Sequence, residues 1–252
     1  GDRVSEMINE KYFTIKPRKG EYVLFARDTG SILNNVIFQT PSKLGKGVLV
    51  TSTYHGNLLI GPDAQNDSDR ENTGTDMESL EQILKRARHV TEEFDIKTFI
   101  RTFSGIRAAA DTGDFIIEET KSKGFINIAG IQSPGLTSSP AVAEMVIEII
   151  KNSGFELKEK ENFNPYRKPL IKRKTKADML SAEEVNRLLN STLPEEKIIC
   201  RCEQVTEKTI LDSLRRGITV TSTDGVKRRT RAGMGWCQGS FCRESVKEII
   251  EK

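Results

Sequence analysis

The 252 residues include 39 lysines and arginines against 36 aspartates and glutamates, so the formal net charge is only +3. This small charge gives no support to a nucleic-acid or membrane-surface partner, and no apolar run approaches the roughly 20 residues of a membrane span. With 36% hydrophobic and 30% charged residues, the composition is that of a globular protein with one large domain or two to three smaller ones.

Short apolar runs separated by Gly, Asp and Asn turns dominate the first hundred residues. We predict strands at residues 21–26, 32–39, 47–51, 57–60 and 97–103. Consecutive strands joined by short turns indicate an antiparallel sheet. Thr75, followed three residues later by Glu78, matches a capping box and predicts a helix with one apolar face.

A Gly/Ser-rich loop at residues 130–140 lies between a predicted strand at 125–129 and a predicted helix at 141–150. Another short strand is predicted at 115–117. The helix is apolar on almost every side, so we expect it to be buried. A helix N-terminus after such a loop can receive an anion or a dipole, and a simple tight turn with a proline at the helix start is the alternative.

Residues 156–195 are predicted to be a linker. Their basic residues Lys168, Lys172, Arg173, Lys174 and Lys176 suit a solvated surface. Ser181 and Glu184 form a second capping box, which predicts a short helix within this linker.

The four cysteines of the chain all lie near its end, as Cys200 and Cys202 and then Cys237 and Cys242. Two tight pairs in one short segment favour a metal site over a disulfide framework. The spacings, C-x-C and C-x4-C, differ from the paired knuckles of a zinc ribbon, so an iron–sulfur cluster ranks above zinc. Thr206 is predicted to cap a helix over 207–216, and Cys242 to open another. The basic residues 227–231 are predicted to form a solvated hairpin, or to offset the negative charge of a cluster.

Residues 198–206 and 231–242 resemble the bacterioferritin-associated-ferredoxin-like [2Fe-2S] domain, which is often fused to flavin-dependent glycerol-3-phosphate dehydrogenases. The resemblance implies that all four cysteines are cluster ligands.

A second resemblance covers roughly residues 1–155. The motifs at 17–22, 55–62 and 104–107, and the loop after Gly130, occur in the same order in glycerol-3-phosphate dehydrogenases and L-2-hydroxyglutarate oxidases of the D-amino-acid-oxidase-like flavoprotein superfamily. This resemblance implies FAD and an α+β fold. The expected order is an antiparallel-sheet substrate domain (1–104), the C-terminal piece of a flavin-binding α/β domain (105–155), the linker (156–195) and a small helical iron–sulfur domain (196–252).

The resemblance also implies site residues. Arg107, after its strand-end motif, is the first choice for holding an anionic substrate, with Arg18 second and Tyr22 lining the pocket. His55 is a candidate base, although its turn position favours exposure. Thr51 and Thr53 are expected to face the same region. The positions implied to contact the flavin are Gly130, Gln132, Gly135, Leu136 and Thr137.

The implied reaction moves a hydride from a secondary alcohol, glycerol 3-phosphate or a 2-hydroxy acid, to the flavin, and electrons then pass through the cluster to an acceptor protein. A 2-hydroxyacid dehydrogenase or oxidase, and a non-redox module that binds zinc, are the alternatives. No signal peptide is evident, so we expect a cytoplasmic protein that reaches the inner face of the membrane only through a partner.

The Gly-x-Gly-x-x-Gly fingerprint of dinucleotide binding is absent from the sequence, and the chain begins Gly1-Asp2 without a methionine. We therefore expect the C-terminal part of a longer enzyme, which on its own holds FAD weakly.

Overall fold

The computed structural model describes residues 1–41, 47–166 and 178–251. Strands dominate its first half and helices its last third, which confirms the predicted α+β class. No helix in these described ranges is both long and apolar enough to cross a lipid bilayer.

A five-stranded antiparallel sheet forms the first part of the molecule. Its strands are β1 (Ile15–Arg27), β2 (Leu49–Ser52), β3 (Asn57–Gly61), β4 (Gln65–Asn66) and β5 (Phe99–Ala110). The order is β2-β3-β1-β4, and β5 pairs with β1 over almost its whole length. The 13-residue strand β1 is therefore the centre of the sheet, since it contacts three other strands.

One face of this sheet carries the main hydrophobic core. Val23 and Phe25 of β1 pack with residues of β2 and β3 and with the helix α2 (Met77–Ala87). The helix contributes Leu80, Ile83 and Ala87, while Met77 is 70% exposed. Asp76, not Thr75, is the N-cap, because its carboxylate accepts a hydrogen bond from the Ser79 amide at 2.9 Å.

The predicted strand at 32–39 is wrong. Asp28 adopts a left-handed conformation with φ of 76°, and a single 3₁₀ turn (Thr29–Ile32) follows it. Only one isolated bridge, between Ile37 and Val50, joins the rest of this run to the sheet. The run has strand-forming residues, but it lacks a neighbouring strand to pair with along its length.

A smaller unit follows, built from a short helix α1 (Asp2–Glu6), a hairpin of β6 (Ile116–Glu119) with β7 (Ile126–Ala129), and α3 (Gly135–Asn152). The predicted helix at 141–150 is in fact six residues longer at its start. Our expectation that it would be buried is wrong, since Val142 is its only buried residue. The helix packs on the β6–β7 hairpin, Val146, Ile149 and Ile150 are partly buried, and Leu136, Met145 and Ile147 are exposed.

The boundary predicted between residues 104 and 105 falls inside β5, which continues without a break to Ala110. One strand therefore joins the large sheet to the smaller unit. The domain boundaries remain a prediction.

The linker contains α4 (Ala182–Leu188), and its capping box of Ser181 and Glu184 is formed as predicted. The basic linker residues Lys168, Lys172, Arg173, Lys174 and Lys176 lie outside the described residues.

The last unit consists of a two-stranded ladder, β8 (Ile198–Cys200) and β9 (Val205–Thr206), and three helices, α5 (Glu207–Leu214), α6 (Thr223–Thr230) and α7 (Arg243–Glu251). We call residues 198–251 the cluster domain. Thr206 caps α5 as predicted, by accepting from the Thr209 amide. The predicted hairpin at 227–231 is wrong, because these residues form the end of α6 and its left-handed C-cap, Arg231. Ile210, Val226, Val246 and Ile249 fill the core of the cluster domain.

Candidate active site and metal centre

A cleft of about 1080 Å³ opens between the main sheet, α2 and the loop before α3. Arg18, Tyr22 and Arg107 line it, together with Gln132 from the loop. Three of the six predicted substrate-site residues and one of the five predicted flavin contacts are therefore in one place. Strands β1 and β5 supply the first three, and the chain after β7 supplies the fourth.

Arg18 and Arg107 are direct partners across β1 and β5, so their side chains leave the sheet on the same face. Two like charges directly opposite each other destabilise a sheet. An anion bound between them removes that repulsion, and guanidinium groups bind phosphate and carboxylate by paired hydrogen bonds. The pairing therefore suits an anion site.

The Arg107 side chain is held in place from two sides. Its Nη2 donates to the backbone carbonyl of Asp63 at 2.8 Å. A Cβ on Gly20, the next residue on the same face of β1, would lie only 2.0 Å from that Nη2 atom. Glycine at position 20 therefore creates the space that the guanidinium occupies.

Tyr22 stacks on Phe103 across the same two strands, with ring centroids 4.9 Å apart and planes at 8°. The stacked rings lie beyond Gly20 and Gly105 on the face that carries the two arginines. They make an apolar wall beside the charged end of the cleft.

Thr51, Thr53 and His55 do not line the cleft. Thr51 donates to the carbonyl of Ser52, and the Thr53 hydroxyl accepts from the Asn57 amide. His55 lies in the turn between β2 and β3, edge-on to the ring of Tyr54. The cleft residues Leu49 and Pro62 lie at the opposite ends of the same two strands, so the hairpin holds these three residues away from Arg107.

Sequence reasoning missed several polar residues of the cleft, of which Asp63, Gln65, Asp76 and Ser79 are examples. Asp63 accepts from the Glu21 amide at 2.8 Å and so ties the loop after β3 to β1. A proline and an aspartate directly after a strand could have marked this loop.

A buried ion pair between Lys19 and Glu21 lies on the other face of β1, with Nζ and Oε1 2.8 Å apart. The Glu21 carboxylate raises the pKa of Lys19. Glu21 also accepts from the Asp76 amide at 3.1 Å, which fixes the start of α2 against the sheet. The pair thereby helps to position α2, whose residues Ser79 and Gln82 line the cleft.

The loop before α3 has the geometry of an anion- or dipole-receiving turn. Gly130 and Gln132 both have positive φ, 73° and 54°. No side chain caps the helix at Pro134, and Leu136 is 89% exposed. The positive end of an 18-residue helix thus opens beside the cleft, and this arrangement fits the electron-rich end of a flavin ring. Of the predicted flavin contacts, Gly135, Leu136 and Thr137 are in the first helical turn and not in the cleft lining.

The four cysteines converge in two pairs at one end of the cluster domain. The sulfurs of Cys202 and Cys237 are 3.5 Å apart, and the thiol of Cys242 donates a hydrogen bond to Cys200. None of them forms a disulfide. The Gly233 amide donates to the Cys200 sulfur at 3.4 Å. A Cβ on Gly235 would lie 2.1 Å from the Cβ of Cys202, so glycine is needed for this close approach.

These thiols perturb one another strongly. The hydrogen bond from Cys242 lowers the pKa of Cys200 to about 6, and donating that bond raises the pKa of Cys242. Burial raises the pKa of Cys202 to about 11. Four thiolates this close repel one another unless a cation lies among them, which is what a metal supplies.

The donor set at this end of the cluster domain consists of four free thiols and the Gly233 amide, which donates to the Cys200 sulfur. Iron–sulfur clusters are held by four cysteine thiolates, often with backbone amides donating to the sulfurs. The residues present therefore fit a [2Fe-2S] cluster.

Two known families match this chain, one over the sheet and the smaller unit and the other over the cluster domain. Residues 1–149 match the family described as FAD dependent oxidoreductase, and residues 198–252 match the BFD-like [2Fe-2S] binding domain. The chain belongs to the FAD-dependent oxidoreductase family and carries a BFD-like [2Fe-2S] domain. Both predicted resemblances are confirmed.

Three similar proteins have names that refer to glycerol 3-phosphate or glycerophosphate. The chain is 46% identical to a glycerol 3-phosphate dehydrogenase from Caloramator mitchellensis, over 100% of this chain and 52% of the relative. It is 35% identical to a glycerol 3-phosphate oxidase from Mycoplasma genitalium, over 65% of this chain and 43% of the relative. The dithionite-reduced, FAD-bound L-alpha-glycerophosphate oxidase from Mycoplasma pneumoniae superimposes with a TM-score of 0.60 at 29% identity, over 68% of this chain and 44% of that structure. The chain spans about half the length of the curated relatives it matches.

Proposed function

We propose that the intact protein containing this chain oxidises the secondary alcohol of glycerol 3-phosphate to a ketone. Two electrons and one proton leave the substrate carbon as a hydride, and the hydroxyl loses a second proton. The observation that carries the proposal is the pairing of Arg18 and Arg107 in the cleft, in a chain 46% identical to a glycerol 3-phosphate dehydrogenase.

In this proposal the two arginines hold the substrate phosphate. Arg107 is fixed by the Asp63 carbonyl, and its remaining N–H groups are available to phosphate oxygens. Arg18 supplies the second positive charge from the neighbouring strand. A phosphate dianion would match the charge of the pair, and the Tyr22–Phe103 wall would pack against the carbon end of the substrate.

When bound, FAD supplies the hydride acceptor. The residues of this chain that would hold its ring are Gly130, Gln132, Gly135, Leu136 and Thr137, at the positive end of α3. The positive end of the helix would stabilise negative charge on a ring held there. A role for His55 as the base gains no support from the cleft, since the β2–β3 turn holds it elsewhere.

Cys200, Cys202, Cys237 and Cys242 would bind the [2Fe-2S] cluster, a one-electron carrier that connects the flavin to an acceptor protein. We propose a cytoplasmic protein that hands its electrons to a separate acceptor subunit.

A panel of substrates tests the proposal. The intact, FAD-loaded protein is mixed anaerobically with glycerol 3-phosphate, L-2-hydroxyglutarate or glycerol, and the flavin absorbance is followed. Glycerol 3-phosphate should bleach the flavin, and glycerol, which lacks the anion, should not. Bleaching by L-2-hydroxyglutarate alone would replace the proposal with a 2-hydroxyacid dehydrogenase, whose carboxylates the same arginines could hold.

A further inference from the structure

Two arginines of the main sheet contact the cluster domain directly. Arg27, the last residue of β1, lies 3.0 Å from the carboxylate of Glu203 (Nη2 to Oε2). Arg101 of β5 donates from Nη1 to the side-chain oxygen of Gln238 at 3.2 Å. Glu203 follows Cys202 directly in the chain, and Gln238 follows Cys237. Both contacts therefore reach residues next to proposed cluster ligands.

The Glu203 carboxylate is shared between the two parts of the molecule. Its side chain is only 6% exposed, and the same Oε2 also accepts from Nε of Arg231 at 2.8 Å, within the cluster domain. One buried negative charge is thus bonded by two guanidinium groups from different domains. Charge-assisted bonds of this kind are stronger than neutral ones, and burial reduces the screening of their charges.

The two units have separate hydrophobic cores in the described part of the chain: the core around Phe25 and Leu58 and the core around Ile210 and Val226 have no residue in common. Polar contacts at Arg27 and Arg101 connect the units. Docking through polar groups is sensitive to charge in a way that docking through a hydrophobic core is not.

We propose that the docking of the cluster domain on Arg27 and Arg101 is linked to the oxidation state of the cluster. This inference rests on the proposed four-cysteine [2Fe-2S] site. Reduction adds one electron, and so one negative charge, to the domain that faces the two arginines, and no covalent bond changes. The reduced domain should therefore dock more tightly than the oxidised domain.

The coupling works in both directions by thermodynamic necessity. If reduction tightens docking by some factor, docking raises the reduction potential by the corresponding amount, about 59 mV per tenfold for one electron. Arg27 and Arg101 are then positioning residues that also tune the cluster. Loss of the electron to an acceptor would loosen the domain again.

The docking site is separate from the substrate site. Arg27 lies nine residues along β1 from Arg18, which is about 30 Å in an extended strand. Substitutions at Arg27 should therefore leave substrate binding unchanged. This separation allows the docking proposal and the proposed function to fail independently.

Redox titration of the intact, cluster-loaded protein with dithionite, monitored by electron paramagnetic resonance, tests the proposal. We expect the double variant Arg27→Gln, Arg101→Gln to have a lower midpoint potential, by about 59 mV if the coupling is tenfold. Arg27→Lys keeps the charge and should restore most of the shift relative to Arg27→Gln. Arg3→Gln is the matched control, because Arg3 adjoins Asp2, whose carboxylate binds the far end of β1 at Ile15.

Hydrogen–deuterium exchange supplies a second readout. Peptides covering residues 24–27 and 198–206 should exchange more slowly in the reduced wild-type protein than in the oxidised protein, and the double variant should lose this difference. Raising the salt concentration should move the wild-type potential toward that of the double variant, since salt screens the arginines.

A wild-type potential in the double variant, with equal exchange in both oxidation states, would overturn the docking proposal. If the glutamine variants fail to fold, a salt-independent wild-type potential would overturn it equally. Failure of glycerol 3-phosphate to bleach the flavin would overturn the proposed function and leave these measurements unaffected.

Discussion

Arg18 and Arg107 show how a sheet can prepare a site for an anion. Neither guanidinium has a carboxylate partner among the ion pairs of the described residues. Their cross-strand position places two positive charges together, and Gly20 leaves the space for one of them.

Removing Arg107 should cost the enzyme much of its catalytic efficiency. We expect Arg107→Ala in the intact protein to lower kcat/KM for glycerol 3-phosphate by about two to four decades, because loss of one partner of a buried charged pair costs roughly 2–5 kcal/mol. Steady-state kinetics measures the effect. An unchanged kcat/KM for both glycerol 3-phosphate and L-2-hydroxyglutarate would remove Arg107 from the site.

Gly20 offers a subtler test of the same geometry. Gly20→Ala should displace the Arg107 guanidinium and lower kcat/KM by about ten- to a hundredfold, as expected when a binding group shifts by an ångström. Gly105→Ala is the control, since Gly105 is paired with Gly20 and a Cβ there meets nothing within 4 Å. Equal losses in the two variants would show that strand flexibility, not space for Arg107, is what matters.

Residue types with strong chemistry could be found from the sequence. The four cysteines were singled out by their spacing and lie close together in the cluster domain, and the two arginines were singled out by their motifs and line the cleft; their roles stay predictions. Asp63 had a signal in the proline and aspartate that follow β3, but Asp76 could not be found, since it reaches the cleft from the start of α2, whose position depends on how the helix packs on β1. Glu203 was missed because its partners, Arg27 and Arg231, come from distant parts of the chain.

A predicted strand formed only where a neighbouring strand pairs with it along its length. Strands β2 and β3 were predicted to within two residues, and the predicted strand at 21–26 is the second half of β1; these apolar runs have neighbours in the sheet. The run at 32–39 is also rich in apolar residues, but it forms only one isolated bridge, between Ile37 and Val50. The exposure of α3 could not be read from its sequence, because an apolar helix indicates burial but does not say what covers it.

Helix α1 is held to the sheet by a buried ion pair that the sequence did not reveal. Asp2 is 1% exposed, and Arg70 donates to both of its oxygens. The Arg70 guanidinium lowers the pKa of Asp2 well below its usual value. A depressed pKa means that the pair contributes fully above the unfolded pKa of about 3.9, and that its contribution is lost as pH falls below that value.

We expect Asp2→Asn to lower the free energy of unfolding by about 2–3 kcal/mol at neutral pH, the loss typical of a hydrogen bond to a charged group. The difference from wild type should shrink as the pH falls below about 4. Urea denaturation at several pH values measures both effects. Glu6→Gln, at an exposed ion pair with Lys11, is the control and should change stability by less than about 1 kcal/mol. A pH-independent difference would mean that the Asp2 charge is not what stabilises α1.

The folding of the cluster domain should depend on metal binding. Replacing Cys202 with serine should abolish or severely weaken cluster assembly and increase amide exchange across residues 198–251, since ligand binding supplies folding free energy to so small a domain. Iron content and hydrogen–deuterium exchange measure the two effects. Full iron occupancy in this variant would contradict the four-ligand assignment.

The chain contains residues for two cofactor sites, one for a cluster and one for a flavin, and only the first has a full set of candidate ligands. The four cysteines proposed as cluster ligands all lie in one small domain. The described residues before Phe115, by contrast, contain antiparallel strands and the helices α1 and α2. They do not contain a unit in which a strand leads through a Gly-rich turn into a helix, which is the unit that binds a dinucleotide pyrophosphate.

We therefore expect the 252-residue chain by itself to bind FAD weakly, through the loop after Gly130 alone. Titration with FAD, followed by flavin fluorescence, should show no saturation below micromolar concentrations. Saturable sub-micromolar binding would show that the chain holds a complete flavin site.

We propose that electrons from an anionic alcohol, held by Arg18 and Arg107, reach the four-cysteine cluster. The direct test is anaerobic addition of glycerol 3-phosphate to the intact protein loaded with FAD and cluster, with electron paramagnetic resonance detecting the reduced cluster. We predict that the signal appears with glycerol 3-phosphate and is strongly slowed in the Arg107→Ala variant. A cluster that stays oxidised at saturating glycerol 3-phosphate, while dithionite still reduces it, would contradict this path of electrons from the substrate to the cluster.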